Sequence, residues 1–324
     1  RYPGPGRRNT VSRYLARRLL SFVPTVFLAS IIIFSIIQLA PGDPAQMRLG
    51  MQATPAEVQA ERVRLGLDRP RIVRYVSWLS DVAHLRLGDS YTTNRPVVSM
   101  VWDAFPNTLK LTVFALILSI IIGFPMGIYA ALHHNRRGDL VVTGLNAFGL
   151  SVPSFWIGIL LILLFSVKLK WLPPSGLGGP NTTFVGSLEY LVMPVVTIAL
   201  SNLSVFSRFV RSSMVDVLSA AYVQTARSKG LMERTVIVQH ALRNAMLPVV
   251  TAVGIQFGRL LGGAVVTEAV FSYPGIGKLV VTSILNRDYP VVQATLMLVV
   301  VVFLITNLIV DLSYAVLDPT VKFE

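Results

Sequence analysis

Long apolar stretches alternate with short polar segments along most of the 324-residue chain. Six stretches approach or exceed the roughly 20 residues that a helix needs to cross a bilayer core of about 30 Å, at a rise of about 1.5 Å per residue. The pattern therefore predicts an all-α polytopic membrane protein with six transmembrane helices. The predicted spans are Leu19–Ala40, Leu111–Leu132, one within Leu140–Val167, about Tyr190–Ser207, about Asn244–Thr267 and Tyr289–Val310.

Composition supports this interpretation, because 53% of the residues are hydrophobic and only 14% are charged. A soluble domain carries roughly a quarter charged residues. The net charge of +13 does not indicate nucleic-acid binding, since the basic residues avoid the apolar runs and suit a membrane surface, where lipid is the expected contact. The chain has no cysteine, which excludes disulfides and thiolate metal sites.

The distribution of basic residues predicts the orientation of the chain in a cytoplasmic membrane. Residues 1–18 form a basic N-terminus, and the apolar run 19–40 is longer than the signal-peptide core of about 7–15 residues, so we expect a retained first span. With the N-terminus inside, the cytoplasmic segments hold fifteen Lys and Arg, whereas the two short outer loops hold four. Because basic residues stay on the cytoplasmic side, both termini are expected there.

The polar region 41–107 is expected to lie outside, as a small extracytoplasmic domain between the first two spans. Thr54 followed by Glu57 is a capping-box pattern that predicts a helix over Pro55–Leu65. Helical spacing of apolar residues predicts a second helix over Arg71–Leu85. Such a region suits a cap or docking surface, and residues 108–320 then form the transmembrane core.

Prolines and glycines inside the spans lead to two further expectations. Prolines at four positions are expected to kink their helices without ending them, because neighbouring helices satisfy the freed backbone groups. They are Pro24, Pro125, Pro153 and Pro194. Gly254, Gly258 and Gly262 recur every four residues, which predicts a face where another helix packs closely.

The cytoplasmic loop 208–243 between the fourth and fifth spans is too polar to cross a membrane, yet it is patterned. Val217, Leu218, Ala221, Tyr222 and Thr225 recur at helical spacing and predict a helix that ends before a chain reversal at glycine 230. A second helix is predicted from about residue 232 toward residue 244. A solvated connector without a partner is the alternative interpretation.

Polar residues within spans are candidates for a transport path. Arg259 interrupts the fifth span, and an arginine there faces the bundle interior, a cavity or a counter-charge. It either lines a path through the bundle and contacts carbonyl or carboxylate groups of a passing molecule, or it bonds to a second subunit. Asn202, Gln256 and Asn307 are candidates too, although such residues often only join helices by hydrogen bonds.

The loop resembles the EAA loop of importer-type ABC permeases in the dipeptide, oligopeptide and nickel branch. The similarity extends almost end to end, to the B-type permease subunit of peptide importers. It is carried, in order, by LGLDRPRIVRYVSWL (Leu65–Leu79), LGDS (Leu87–Ser90), SVPSFWIGILLILLF (Ser151–Phe165), WLPPSG (Trp171–Gly176), TEAVFSYPGIGKL (Thr267–Leu279), RDYPVVQ (Arg287–Gln293) and NLIVDLSYAVLDP (Asn307–Pro319).

The resemblance implies the type I importer permease fold and a set of partners. These are a second homologous permease, two ATPase subunits or domains that use ATP and Mg²⁺, and an extracytoplasmic substrate-binding protein. It also implies that ATPase closure moves the loop and rocks the spans. The residues that would contact the ATPase are Val217, Leu218, Ala221, Tyr222, Gln224, Thr225, Ala226, Lys229 and Gly230. Gln224 stands where the generic motif has Glu, and Thr225 where it has Ala.

Catalytic and cofactor motifs do not occur in the sequence. It contains no GxxxxGK[ST], no HExxH and no GxSxG, so we expect no enzyme activity, no metal site and no cofactor in this chain. A stand-alone secondary transporter or channel, a nickel-chelate importer and a membrane enzyme are the alternatives. The sequence does not choose among dipeptide, oligopeptide, glutathione-like peptide and nickel-chelate cargo.

Overall fold

The computed structural model describes residues 6–39, 42–50, 52–179 and 184–317. Residues 1–5, 40–41, 51, 180–183 and 318–320 of the predicted segments lie outside the described residues. The described part is helical and contains no strand. Its helices are α1 (Gly6–Leu39), α2 (Pro44–Leu49), α3 (Pro55–Arg64), α4 (Arg71–Ala83), α5 (Val97–Leu132), α6 (Arg137–Ser151), α7 (Ser154–Leu161), α8 (Phe184–Leu218), α9 (Ala221–Ser228), α10 (Glu233–Thr235), α11 (Arg243–Gly263), α12 (Val265–Val270), α13 (Ile276–Leu285) and α14 (Tyr289–Leu317).

Two π-helical stretches interrupt this α-helical pattern. Ile162–Lys168 continues α7, and Val236–Leu242 joins α10 to α11. The described residues divide into two compact units. The first comprises the chain up to Thr108 together with Pro274–Ile305, and the second comprises Leu109–Tyr273 with the chain from Thr306 onward.

Five helices in the described part are long and apolar enough to cross a membrane. A sixth span results when α6 is combined with α7 and its π-helical continuation, which together end at Lys168. The predicted third span is therefore not one continuous helix, because the pair bends by 94°. The break falls at Val152, which is extended, immediately before Pro153. Proline lacks an N–H and disfavours helical geometry in the preceding residue. Pro24 and Pro194 remain inside α1 and α8, as expected.

The fourth span is longer than its apolar pattern predicted. The sequence indicated about Tyr190–Ser207, whereas α8 runs from Phe184 to Leu218 and is 35 residues long. The additional C-terminal turns carry Arg208 and Arg211, whose charges reduced the apolar signal there. These turns lead directly into the loop that the sequence singled out.

The first unit contains the short helices predicted between the first two spans. α3 begins with the capping box: Thr54 N–H donates to Glu57 Oε2 at 2.8 Å, and Glu57 N–H donates to Thr54 Oγ1 at 3.4 Å. The helix predicted over Arg71–Leu85 ends slightly earlier, at Ala83. α4 packs on α1 through the rings of Tyr75 and Phe34, whose centroids are 5.4 Å apart.

A buried carboxylate anchors the loop that follows α4 to the beginning of α14. Asp288 is 1% exposed. It accepts hydrogen bonds from Tyr91 N at 3.0 Å, from Thr92 Oγ1 at 2.8 Å and from the hydroxyl of Ser90. Burying a carboxylate is costly unless donors surround it, so these contacts fix the loop where α14 begins.

Close helix packing organises the second unit around α8. Residues from α5, α8 and α11 share one buried apolar cluster that includes Leu111, Met193 and Leu260. Gly123 permits α5 to approach α8, because a Cβ there would lie 2.7 Å from the carbonyl oxygen of Leu203. Gly254, in the predicted glycine face of α11, contacts Val310 of α14, whereas a Cβ at Gly262 would meet no atom within 4 Å.

Candidate functional site: the loop between α8 and α11

The predicted loop helix is divided in two by Ala220. The sequence indicated one helix from Val217 to Lys229, but α8 ends at Leu218 and α9 begins at Ala221. Ala220 is extended, with φ −66° and ψ 144°, and its carbonyl oxygen accepts from Val223 N–H at 3.0 Å. The change of direction allows the end of α8 and the inner face of α9 to pack in different apolar clusters.

One face of α9 belongs to the interior of this chain. Val223 is fully buried and Ala226 is 7% exposed, and both pack with Val236 and Val217. Leu218 contributes to the neighbouring cluster at the end of α8. Val217, Leu218 and Ala226 therefore lie on the inner side of the segment. Val223 was not among the sequence candidates, although its spacing three residues before Ala226 places it on the same face.

The other face of α9 is exposed. It carries five of the sequence candidates, which are Ala221, Tyr222, Gln224, Thr225 and Lys229. The apolar side chains of Leu231 and Met232 extend this surface, and Met232 is 76% exposed. The sequence interpretation did not include these two residues, which adjoin the reversal at Gly230.

Local hydrogen bonds hold the exposed residues in place. The Thr225 hydroxyl donates to the carbonyl oxygen of Ala221 at 3.0 Å. The Tyr222 hydroxyl accepts from Nδ2 of Asn244 at 3.0 Å, which joins α9 to the beginning of α11. The surface is therefore ordered by contacts within the chain, while the aromatic ring of Tyr222 remains about half exposed.

The reversal after α9 is closed by glycine geometry and by an ion pair. Gly230 has φ +76°, a conformation that side chains disfavour. Across the turn, Arg227 donates two hydrogen bonds to Glu233, at 2.6 Å and 3.2 Å. The hydrogen bond lowers the pKa of Glu233 and raises the pKa of Arg227. Both side chains are well exposed, so the pair positions the turn more than it stabilises the fold.

Two contacts connect the turns before α9 with other helices of the second unit. The Ser213 hydroxyl donates to the carbonyl oxygen of Ala245 at 2.7 Å. Arg211 forms a bidentate ion pair with Asp139, at 2.5 Å and 2.7 Å, and Asp139 is 4% exposed. The sequence interpretation included neither contact, because the paired residues lie far apart along the chain.

The four polar residues proposed from the spans lie in different surroundings. Gln256 donates to Asn202 at 2.6 Å, which links α11 to α8. Asn307 is partly buried on α14. Arg259 is exposed at the surface of this chain, and within the described residues no carboxylate forms an ion pair with it. The structure therefore joins two of the four, Asn202 and Gln256, by a hydrogen bond.

Among the described residues, no group of three or more His, Asp or Glu side chains is placed to hold a metal ion. The exposed surface of the loop presents hydrophobic, hydroxyl and amide groups and one lysine.

Comparison with protein families gives two matches that together extend over most of the chain. The model described as "Binding-protein-dependent transport system inner membrane component" matches residues 123–323. The model for the N-terminal part of binding-protein-dependent transport system membrane components matches residues 11–112. The loop between α8 and α11 lies within the first match.

Curated relatives match along nearly their whole length. The "Glutathione transport system permease protein GsiC" of Escherichia coli is 40% identical over 311 residues, which cover 96% of this chain and 99% of the relative. The protein of the same name from Salmonella typhi is also 40% identical with the same coverage.

Solved structures share the fold at low sequence identity. The MetNI methionine ABC transporter in an inward-facing conformation aligns with a TM-score of 0.59 and 16% identity, covering 69% of this chain and 99% of that chain. An amino acid ABC transporter crystallised with histidines aligns with a TM-score of 0.54 and 14% identity, covering 67% of this chain and 94% of that chain. These likenesses concern the fold alone.

Proposed function

Since the chain belongs to the family of binding-protein-dependent transport system inner membrane components, we propose that it forms part of a path for short peptides and is driven through the loop between α8 and α11. The chain is a permease subunit of an ABC importer and a multi-pass inner-membrane protein. Importers of this class operate with a second permease, ATPase subunits and a substrate-binding protein. ATP and Mg²⁺ are therefore assigned to the partner subunits.

Short peptides of the size and chemistry of glutathione are the proposed cargo. The observation that carries this assignment is the 40% identity to glutathione permeases along almost the entire length of both chains. The binding protein is expected to contribute much of the selection, so this chain has only to admit such a molecule.

The outer face of α9 is the proposed contact with the ATPase. Tyr222, Thr225 and Lys229 present an aromatic ring, a hydroxyl and a cation, which together suit a cleft lined by apolar and polar groups. Gln224 and Gly230 border this face, while Val217, Leu218 and Ala226 support it from inside. Gln224 is neutral, so no salt bridge is expected from that position.

Two contacts support the transmission of movement from this surface to the spans. The Arg211–Asp139 pair joins α8 to α6, and the Tyr222–Asn244 hydrogen bond joins α9 to α11. A displacement of α9 would therefore act on three helices of the second unit. Rigid-body movement of packed helices is an established way to convert a local push into a change of access.

The orientation follows from the basic residues. We place the basic N-terminus 1–18, the loop 208–243 and the C-terminus in the cytoplasm, and the region 41–107 outside, because Lys and Arg concentrate on the first set of segments. The first span, 19–40, and the transmembrane core, 108–320, connect these parts. This arrangement presents α9 to a cytoplasmic ATPase and the outer region to a binding protein.

Arg259 is the residue that we assign to the path. It is exposed at the surface of its own chain and lies in a membrane span, so its charge requires a cavity or a second subunit. A guanidinium there would donate hydrogen bonds to peptide carbonyl or carboxylate oxygens. Asn202 and Gln256 bond to each other and are assigned to helix packing, and Asn307 remains a second candidate for the path.

Uptake by reconstituted vesicles tests the assignment. The chain, together with the permease, ATPases and binding protein that copurify with it, is expected to accumulate labelled glutathione when ATP is supplied. The chain alone is expected to accumulate none. Uptake by the chain alone under an ion gradient would contradict the importer assignment, whereas ATP-driven uptake of a nickel chelate without uptake of peptide would contradict only the cargo.

A further inference from the structure

The first unit contains a large cavity beside the ends of two membrane spans. Its volume is about 960 Å³. Phe34, Ile37 and Gln38, from the last turns of α1, line one side of it, and Tyr289 and Gln293, from the first turns of α14, line another. The cavity therefore lies at the level where spans meet the membrane surface, which is the level of lipid headgroups.

Arginines dominate the charge of this cavity. Four aspartates and six arginines line it, and the arginines are Arg48, Arg62, Arg64, Arg69, Arg74 and Arg86. Arg62 pairs with Asp43 at 2.8 Å, and Arg64 pairs with Glu61 at 2.6 Å. Six arginines face four aspartates, and Glu61 beside the cavity adds a fifth carboxylate, so positive charge remains in excess.

Arg48 and Arg74 are the two arginines of the cavity that are partly buried, and neither has a carboxylate to itself. Arg74 donates to the neutral amide oxygen of Gln38 at 3.1 Å. Arg48 lies 3.5 Å from Glu61, which Arg64 already occupies with two shorter bonds. Each guanidinium therefore retains donors for a further acceptor.

Tyr91 lies near both of these arginines. The Arg48 guanidinium is 6.0 Å from the centre of the Tyr91 ring. Burial raises the pKa of the Tyr91 hydroxyl, and burial likewise lowers the pKa of Arg74. Arg48, the partly buried Arg74 and the protonated Tyr91 hydroxyl therefore form a group of donors, and Glu61, the carboxylate that pairs with Arg48, is shared with Arg64.

Part of the remaining wall is apolar and aromatic. Phe34 and Ile37 of the first span, together with Val73 and Trp78 of α4, line the cavity beside the arginines. Arginine with tyrosine or tryptophan is the combination that proteins place at membrane interfaces. A small free anion would not use the apolar walls, whereas a molecule with a phosphate and acyl chains would use both.

We propose that this cavity binds the phosphate headgroup of an anionic phospholipid, with Arg48 and Arg74 donating to the phosphate and the side chains of α1 contacting the acyl chains. Arginine suits this role because its planar donors match phosphate oxygens. The bound lipid would fix α4 and the end of α1 against the membrane surface. The site lies within the first unit and does not depend on the identity of the transported cargo.

Lipid titration of the full chain, with any subunits that copurify, tests the proposal by native mass spectrometry. After delipidation, the wild type is expected to bind phosphatidylglycerol more tightly than phosphatidylcholine. The double variant Arg48→Gln/Arg74→Gln is expected to bind phosphatidylglycerol about tenfold more weakly, since two charge-assisted hydrogen bonds are lost. Arg48→Lys/Arg74→Lys keeps the charge and should bind with intermediate affinity.

Arg71→Gln is the matched control. Arg71 is exposed at the start of the same helix and does not line the cavity, so its loss removes only a longer-range charge near Arg74 and should change lipid affinity far less than the double variant does. Equal affinity of the wild type and the double variant would overturn the proposal. Displacement of the lipid by excess inorganic phosphate would identify a free anion instead. A double variant that keeps its lipid but loses the binding protein would identify a protein carboxylate as the occupant.

Discussion

Asp139 and Arg211 form a bidentate ion pair between the first turn of α6 and the C-terminal part of α8, with N–O distances of 2.5 Å and 2.7 Å. The backbone N–H of Asn135 donates to the same carboxylate at 3.0 Å. The pair thus joins the loop before α6 to the helix that leads into α9. It is the strongest connection described between the proposed ATPase contact and the neighbouring spans.

Replacing Asp139 by Asn should lower the free energy of unfolding by about 3 kcal/mol, because Arg211 would lose its counter-charge in a site where the carboxylate is almost fully buried. ATP-driven uptake should fall as well, since α6 would no longer move with α8. Denaturation of the purified chain and vesicle uptake measure the two effects.

Arg208→Gln is the control for that experiment, because Arg208 is exposed on the same helix and has no ion pair within the described residues. It should change the free energy of unfolding by no more than about 0.5 kcal/mol. If both variants lose the same stability, the pair does not contribute as described.

The sequence predicted the parts of the fold that depend on neighbouring residues. The capping box at Thr54 and Glu57 was confirmed because its hydrogen bonds span only three residues. The apolar runs predicted the spans because the hydropathy of a segment also depends only on neighbouring residues. The Asp139–Arg211 pair was not predicted, because its partners are 72 residues apart and nothing local indicates that they meet.

The sequence interpretation also failed to predict where helices break. Pro153 follows the break that ends α6, whereas Pro194 lies inside α8, although both prolines fall within apolar runs of the sequence. Likewise the apolar spacing from Val217 to Thr225 continues through Ala220, where the backbone leaves the helix. The spacing of apolar residues indicates which side chains are buried. It does not indicate where the backbone changes direction between one buried group of side chains and the next.

The turn at Gly230 should tolerate some side chains better than others. Its φ of +76° disfavours residues with a Cβ, but no atom lies within 4 Å of the position that a Cβ would occupy. Gly230→Asn should therefore retain most ATP-driven uptake, because asparagine adopts this conformation readily. Gly230→Val should cost about 1–2 kcal/mol in local strain and reduce ATPase coupling. Equal uptake by both variants would show that the turn geometry does not matter.

The hydrogen bond between Gln256 and Asn202 should be structural. Gln256→Leu is expected to reduce the free energy of unfolding by about 1 kcal/mol, in the range measured for hydrogen bonds between membrane helices. The double variant Asn202→Leu/Gln256→Leu should lose less than the sum of the two single variants. A changed KM for peptide in a variant of unchanged stability would instead place these residues in the path.

Asp288 should control the order of the loop before α5. Asp288→Asn replaces the carboxylate that accepts hydrogen bonds from Ser90, Tyr91 and Thr92. The free energy needed to open the loop should therefore fall by about 2 kcal/mol. Limited proteolysis of the residues around Tyr91 measures this opening. Asp89→Asn is the control, since Asp89 is exposed, and comparable cleavage of the two variants would contradict the anchoring role.

Crosslinking from α9 tests the central claim, that an ATPase drives this permease through the loop between α8 and α11. The chain contains no cysteine, so a single Thr225→Cys provides the only thiol in this subunit. In the assembled, active transporter, that cysteine is expected to crosslink to an ATPase subunit, whereas Ser80→Cys on α4 is not. Absence of an ATPase crosslink from cysteines placed at Thr225, Gln224 and Lys229 in turn, while uptake remains ATP-driven, would contradict the account.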